Sequence, residues 1–141
     1  MNQTLHDRAL AETTACAVMA LGGVFTIAGA ATWAMISSGL HRERITVADD
    51  ASHFAGARID SPWTAWEQAE TISRHIAAIT NDRTYAELDR EDPLRETAMD
   101  GSLLRSALFT SIIGFGVAAA VTGIGVTLGV VGYGIRKAAR A

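Results

Sequence analysis

The sequence contains no charged residue in two long stretches. Residues 13–40 and residues 106–135 contain no Asp, Glu, Lys, Arg or His, whereas all but two of the 15 acidic residues lie between Glu43 and Asp100. A buried helix in a soluble protein of this size would seldom run so long without a charge. The pattern therefore excludes an ordinary soluble globule and is typical of a chain that faces two different solvents.

Other absences exclude several classes of activity. Cys16 is the only cysteine, which leaves no intrachain disulfide and no cysteine-based metal site. The four histidines lack metal-ligand spacing, and no phosphate-binding loop or nucleophile elbow is present. The net charge is −3 without a basic cluster, so we expect no nucleic-acid partner. The uncharged stretches also lack the ionisable groups of pumps and transporters. We expect no cofactor, no metal and no enzymatic activity.

The two uncharged stretches predict two membrane-spanning helices. They hold 28 and 30 residues, and about 20 suffice to cross a bilayer. The predicted fold is an all-α membrane protein, a two-helix transmembrane hairpin with a mostly helical loop domain. Its parts are an N-terminus (1–13), a first span (14–40), the loop domain (41–102), a second span (103–135) and a basic tail (136–141). A cleaved signal peptide, with Ala28–Ala30 as its cleavage site, is less favoured because the apolar run continues past Trp33.

Basic residues at the ends of the spans predict the orientation. Arg136, Lys137 and Arg140 follow the second span without an acid, which favours a cytoplasmic C-terminus. Two spans then place the N-terminus on the same side and the loop domain outside. Arg42 and Arg44, at the loop end of the first span, favour the opposite orientation.

Small residues recur at helical spacing in both spans, which predicts close helix packing. Without a hydrophobic drive in lipid, helices pair through small side chains. The small residues form one row, or ridge, on each span, and we expect the two ridges to pack on each other. The second span has further glycines, Gly116 and Gly123, for a second partner. The ridge positions are Gly22, Thr26, Ala30, Ala34 and Ser38 in the first span, and Gly114, Ala118, Thr122, Gly125, Gly129 and Gly132 in the second.

The loop domain has start signals for helices. Ser61 followed by Pro62 predicts a helix that ends near Asn81–Asp82, while Arg44–Val47 alternates like a short strand. The apolar face of this helix packs internally, lies on lipid or meets a partner, and internal packing is favoured. Its candidate contact residues are Trp63, Trp66, Ile72 and Ile76.

An acidic segment follows the predicted loop helix. Thr84 and Glu87 have the spacing of a capping box, and Asp92 precedes Pro93 as a cap for a third helix. Arg90 lies between the acids as a counter-charge. We favour structural capping and ion pairing over a metal or acid–base site here, because a calcium loop would need a turn glycine.

Several loop strings resemble a known family. Ile45–Ala51, Phe54–Gly56 and Thr84–Pro93, together with Leu104-Arg105 and Leu108–Ser111, look like a family of small two-span actinobacterial membrane proteins. The resemblance covers roughly residues 18–133 and implies a location in a bacterial plasma membrane. Members are often labelled aromatic ring-opening dioxygenases, which bind iron through histidines and a carboxylate. This sequence has no matching motif, so the resemblance implies a fold but no activity.

Three functional hypotheses remain open. The first is a non-catalytic accessory or stabilising subunit that binds other subunits of a larger membrane complex, with a respiratory complex as one candidate. The second is a self-associating hairpin that forms a homo-oligomer or a small pore. The third is an enzyme that acts through the acidic segment of the loop.

Overall fold

A computed structural model describes residues 2–140 of the chain, with side chains from His6 onward; Met1 and Ala141, the outermost residues of the predicted termini, lie outside this part. The described chain is all-helical, as predicted, and has no strand between residues 2 and 140. The elements are the helices α1 (Asn2–Arg42), α2 (Pro62–Thr80) and α3 (Leu94–Arg140), and a single 3₁₀ turn, Tyr85–Glu87.

Two of these helices are long and apolar enough to cross a membrane, α1 and α3. At 1.5 Å per residue their 41 and 47 residues extend over about 60 and 70 Å. Only 17% of the most apolar stretch of each helix is buried within the chain. Neither helix is therefore enclosed as the core helix of a soluble protein would be.

The chain divides into two compact units. The terminal unit takes the described residues up to Trp33 and those from Gly116 onward, and it consists of most of α1 and the second half of α3. The central unit, Ala34–Phe115, contains the end of α1, all of α2 and the start of α3.

Helix α2 begins and ends at the predicted residues. The side chains of Ser61 and Thr64 cap each other's backbone N–H groups in a capping box, and Pro62 occupies the first turn. At the other end Asn81 adopts the left-handed conformation (φ 52°), and its N–H donates to the carbonyl of Ala77. Asparagine is one of the few residues that tolerate this conformation, which explains why the helix stops there.

The core of the central unit forms around an isolated antiparallel bridge between Thr46 and Arg58. The sequence Arg44–Val47 therefore forms a bridge and not the predicted strand. Its neighbours Val47 and Ile59 are both 1% exposed. The core cluster is completed by Ala65 and Ala69 of α2 and Leu108 of α3, with Leu40, Ala51, Ile72, Phe109 and Ile112 packed around it.

The predicted third helix is the first part of α3. The Asp92 carboxylate accepts a hydrogen bond of 2.9 Å from the Leu94 N–H, which caps the helix start. From Leu94 the helix continues to Arg140 without interruption, through Gly101. Gly101 is buried, and a Cβ atom there would lie 2.5 Å from Cγ1 of Ile76. The glycine thus lets α2 pack directly on α3.

Ile59→Ala should destabilise the central unit by about 2–5 kcal/mol, because it removes a fully buried side chain and leaves a cavity. The measurement is equilibrium unfolding of the full chain in detergent, followed by tryptophan fluorescence. Ile79→Ala is the matched control, since Ile79 is 46% exposed, and it should change the free energy of unfolding by less than about 1 kcal/mol. Equal effects of the two substitutions would contradict this description of the core.

Candidate functional site

The two helices of the terminal unit approach each other closely enough for backbone to meet backbone. A Cβ atom on Gly22 would lie 2.6 Å from the carbonyl oxygen of Gly125 and 2.7 Å from the nitrogen of Gly129. A Cβ atom on Gly29 would lie 2.6 Å from the carbonyl oxygen of Ala118 and 2.7 Å from the nitrogen of Thr122. Real Cβ atoms do not approach other atoms so closely, so the two helices can pack at this separation only because these residues are glycines.

The contacts run in opposite order along the two helices. Residues near the start of α1 meet residues near the end of α3, since Ala15 lies beside Gly132. Further along α1, Gly22 meets Gly125 and Gly29 meets Ala118. Within the terminal unit the paired segments of α1 and α3 are therefore antiparallel.

The two predicted ridges are placed differently. All six ridge positions of α3 lie at helix contacts: Gly125, Gly129 and Gly132 against α1, Ala118 and Thr122 against Gly29, and Gly114 against Ile36 in the central unit. On α1, by contrast, only Gly22 and Thr26 lie at the contact, and Ala30, Ala34 and Ser38 are exposed.

The spacing of the α1 contact explains this difference. The buried positions Ala15, Gly22 and Gly29 follow one another at intervals of seven residues. A step of seven residues turns a helix by about 20° less than two full turns, whereas a step of four overshoots one turn by about 40°. A ridge of four-residue steps thus drifts off the contact after Thr26. The heptad of small residues is the signal in the sequence that would have identified Ala15 and Gly29.

Hydroxyl groups on the long helices are satisfied within their own helix. The side chains of Thr26, Thr32, Thr122 and Thr127 each donate to the carbonyl four residues earlier, over 2.8–2.9 Å. Such bonds remove the cost of placing a hydroxyl in an apolar medium. The hydroxyl hydrogens of these threonines therefore need no hydrogen bond to water.

A second set of glycines faces open space. A Cβ atom on Gly23 of α1, or on Gly116 or Gly123 of α3, would meet no other atom within 4 Å. Gly116 and Gly123 are one heptad apart and lie on the same side of α3. This α3 face, defined by Gly116 and Gly123, has no partner within the described chain.

The predicted contact residues of α2 are partly buried. Ile72 packs against the core cluster, and Ile76 covers Gly101. Trp66 makes an edge-on contact with the Phe109 ring at 5.4 Å between centroids but remains 53% exposed, and Trp63 is 69% exposed. Internal packing thus holds for the isoleucines, while the two tryptophans remain available at the surface.

The buried face of α2 is rotated from the predicted apolar face. Thr64 and Thr71 are buried, whereas Ile79 is exposed. The threonines are tolerated inside because their hydroxyls are bonded: Thr71 accepts from the Arg74 guanidinium over 2.9 Å and Thr64 caps the helix start. Arg74 also donates to Ser52. The Arg74 guanidinium is thus held by two hydroxyl groups.

The acidic segment is held by capping bonds. The Glu87 carboxylate accepts from the backbone N–H and the hydroxyl of Thr84, both at 2.8 Å. These bonds favour the charged form and lower the pKa of Glu87. Asp92 caps α3 and lies 3.5 Å from the Arg83 guanidinium. Arg90 is exposed and takes no part in an ion pair within residues 6–140.

No group of His, Cys, Asp and Glu side chains that could hold a metal ion occurs among the described residues. A partly apolar groove of about 470 Å³ lies in the central unit between α2, the turn at Tyr85–Glu87 and the start of α3. It is lined by Ile72, Ile76 and Ala98 with Arg83 and Arg105. Asp82, Tyr85 and Ser102 line it as well, so charges of both signs and hydroxyl groups border its apolar part.

Comparisons of the chain with protein-family models, with curated proteins and with solved structures found no match in any of the three. A function is therefore inferred from the geometry of the two units. That geometry consists of a glycine-mediated helix contact, an unpartnered α3 face and a folded central unit with exposed tryptophans.

Replacing the contact glycines should weaken the terminal unit. Gly22→Ala and Gly29→Ala each force a methyl group into opposing backbone, which should cost about 1–3 kcal/mol. The measurement is unfolding in mixed detergent–SDS micelles, followed by circular dichroism. Gly23→Ala is the matched control, because its methyl group enters open space and alanine favours the helix. Equal stabilities of Gly22→Ala and Gly23→Ala would refute the contact.

The surface pair of Asp50 and His75 should make stability depend on acid pH. Their oxygen and nitrogen are 2.6 Å apart, and this hydrogen bond lowers the pKa of Asp50 below its ordinary value of 3.8. A carboxyl with a depressed folded pKa stabilises the fold above its unfolded pKa, and this contribution is lost as the pH falls through the folded value.

Asp50→Asn should therefore lose stability relative to the wild type near neutral pH, and this difference should vanish at the acid end of a pH series. His75→Ala should flatten the same part of the curve, because it removes the partner that lowers the pKa of Asp50. The measurement is the free energy of unfolding between pH 7 and pH 2. A wild-type curve parallel to that of Asp50→Asn throughout would show that the pair does not form.

Proposed function

We propose that the chain is an integral membrane protein with two spans, built as a hairpin, and that it serves as a non-catalytic accessory subunit that binds other membrane-protein subunits. The unpartnered α3 face at Gly116 and Gly123 is the observation that carries the second part. Glycine disfavours a helix by about 1 kcal/mol relative to alanine in water. An open glycine face is useful where another helix packs closely on it.

The lengths of the apolar segments support the membrane location. The central unit begins at Ala34 and ends at Phe115, so it includes the last part of the first uncharged run and the first part of the second. The predicted spans, 14–40 and 103–135, then leave residues 14–33 and 116–135 for the bilayer. Twenty helical residues extend over about 30 Å, the thickness of a hydrocarbon core.

Aromatic and basic residues at the ends of these segments agree with that assignment. Trp33 closes the first segment, and Tyr133, which is 61% exposed, lies near the end of the second, before Arg136. Both aromatic residue types are enriched at membrane interfaces. The basic tail favours cytoplasmic termini, which places the central unit on the outer side of a bacterial plasma membrane.

The surface features of the two units support the proposed non-catalytic role. The terminal unit presents apolar side chains, glycines and internally bonded hydroxyls. The central unit uses Glu87 and Asp92 as caps, and its exposed tryptophans, Trp63 and Trp66, suit contacts with a protein or an interface. These features fit a protein that binds a partner through the shape of its surface.

Co-purification tests the proposal. The tagged full chain, extracted in a gentle detergent, should recover larger membrane subunits in fixed stoichiometry by quantitative and native mass spectrometry. Gly123→Leu should reduce that recovery by about tenfold or more, because the leucine side chain holds the partner helix away. Ala28→Leu, at an exposed α1 position that is not a glycine, should retain the partner and shows that a variant with an added leucine inserts and folds.

The outcomes separate the candidate roles. Recovery of a free monomer from every detergent would contradict the accessory-subunit proposal. Recovery of multiples of the chain itself, lost in Gly123→Leu, would replace it with a homo-oligomer that uses the same face. Solubility without detergent would contradict the membrane location.

A further inference from the structure

The central unit contains a cavity of about 620 Å³ with a cationic lining. Its lining residues are His41 and Arg42 at the end of α1, Arg44 just after it, and Thr46 and Arg58 of the isolated bridge. The three arginines concentrate positive charge around one cavity. Binding of a partner to the α3 face does not explain this charge.

The bridge fixes the direction of two of these side chains. Thr46 and Arg58 are paired across it, and backbone hydrogen bonds from Val47 to Ala57 (2.8 Å) and from Ile59 to Ile45 (3.1 Å) hold the two segments together. Side chains alternate between the two sides of an extended segment. Since Val47 and Ile59 are anchored in the core, Thr46 and Arg58 are held on the other side.

A hydrogen bond connects the bridge to the helix end. Nη1 of Arg58 lies 3.0 Å from Nε2 of His41. The guanidinium can only donate, so the ring nitrogen is the acceptor of this hydrogen bond. The contact leaves the remaining N–H groups of the Arg58 guanidinium free to bind an anion.

The arginines of the cavity lack acidic partners. Among the described side chains, the four ion pairs involve His53, His75, Arg83 and Arg140 and none of Arg42, Arg44 and Arg58. Glu43 is adjacent in sequence but does not line the cavity. The negative end of the α1 dipole accounts for a cation at Arg42, but it does not account for Arg58, which lies outside the helix.

Arg44 adds a separate observation. It follows the end of α1 in the left-handed conformation, with φ 54°. Glycine is the usual residue at this position after a helix, and a larger residue there is strained by about 1 kcal/mol. Arginine is therefore present here at a cost in backbone strain, as Phe54 is at φ 58°.

We propose that this cavity is a binding site for a phosphate-type oxyanion, either a free phosphate compound or the phosphate group of an anionic lipid. Guanidinium groups match the oxygens of phosphate in geometry and form paired, charge-assisted hydrogen bonds with them. The site does not depend on a protein partner, and its free-anion form does not depend on insertion into a membrane.

The experiment uses the full chain in two arms. In the first, the shift of the thermal unfolding midpoint in neutral detergent is measured with inorganic phosphate and with glycerol phosphate, against chloride at equal ionic strength. In the second, native mass spectrometry counts the lipids retained after release from nanodiscs of phosphatidylglycerol or of phosphatidylcholine. Binding in the first arm identifies a free anion, and preferential retention of phosphatidylglycerol in the second identifies a lipid headgroup.

Three variants define the site. Arg58→Gln and Arg44→Gly should each weaken binding about tenfold in whichever arm shows it, because each removes a charge-assisted hydrogen bond. Arg44→Gly should retain or raise the unfolding midpoint, since it relieves the backbone strain, so its loss of binding cannot result from misfolding. Arg90→Gln, an exposed arginine away from the cavity, is the control with the same change of charge and should bind as the wild type does.

Two results would overturn the proposal. One is a wild-type protein that prefers neither phosphate over chloride nor phosphatidylglycerol over phosphatidylcholine. The other is an equal loss of binding in Arg90→Gln and Arg58→Gln, which would mean that only the total charge matters. Neither result would affect the accessory-subunit proposal, which is tested by co-purification.

Discussion

The close approach of two helix backbones at Gly22 and Gly29 is the contact on which the terminal unit depends. Apolar side chains on α1 and α3 are mostly exposed, so they cannot supply the pairing by burial. What remains is packing of backbone on backbone over a narrow strip, which depends steeply on separation. A single methyl group on this strip would push the helices apart, and the alignment of Ala15 with Gly132 would be lost with it.

In the central unit, side chains of α2 form hydrogen bonds that hold the irregular segment between α1 and α2 in place. The amide oxygen of Gln68 accepts from the Ala48 N–H over 2.8 Å, and the Glu67 carboxylate accepts from the His53 N–H. These bonds satisfy backbone donors that a regular sheet would otherwise satisfy. A segment with only one isolated bridge can therefore be well packed, with Val47 and Ile59 in its core.

Local signals in the sequence predicted the helices well, because each signal has a short-range cause. Ser61 caps α2, Asp92 caps α3, and the uncharged runs mark the long helices. The contact faces were harder to predict, because they depend on how each helix is rotated about its axis. A ridge whose residues are four positions apart drifts away from a contact that repeats every seven residues. The cationic cavity could not be predicted, since Arg58 and His41 are brought together by the bridge and lie 17 residues apart in sequence.

Most local choices in this chain agree with its fold, and some of the exceptions lie on the two surfaces for which a binding role is proposed. Gly116 and Gly123 weaken a helix where no close contact within the chain requires a glycine, and Arg44 occupies a backbone conformation that favours glycine. Each of these residues is unfavourable for stability at its own position. Sequences depart from local consistency chiefly at functional sites. We therefore propose binding roles for the open α3 face and the cationic cavity, and since they lie in different units they can serve different ligands.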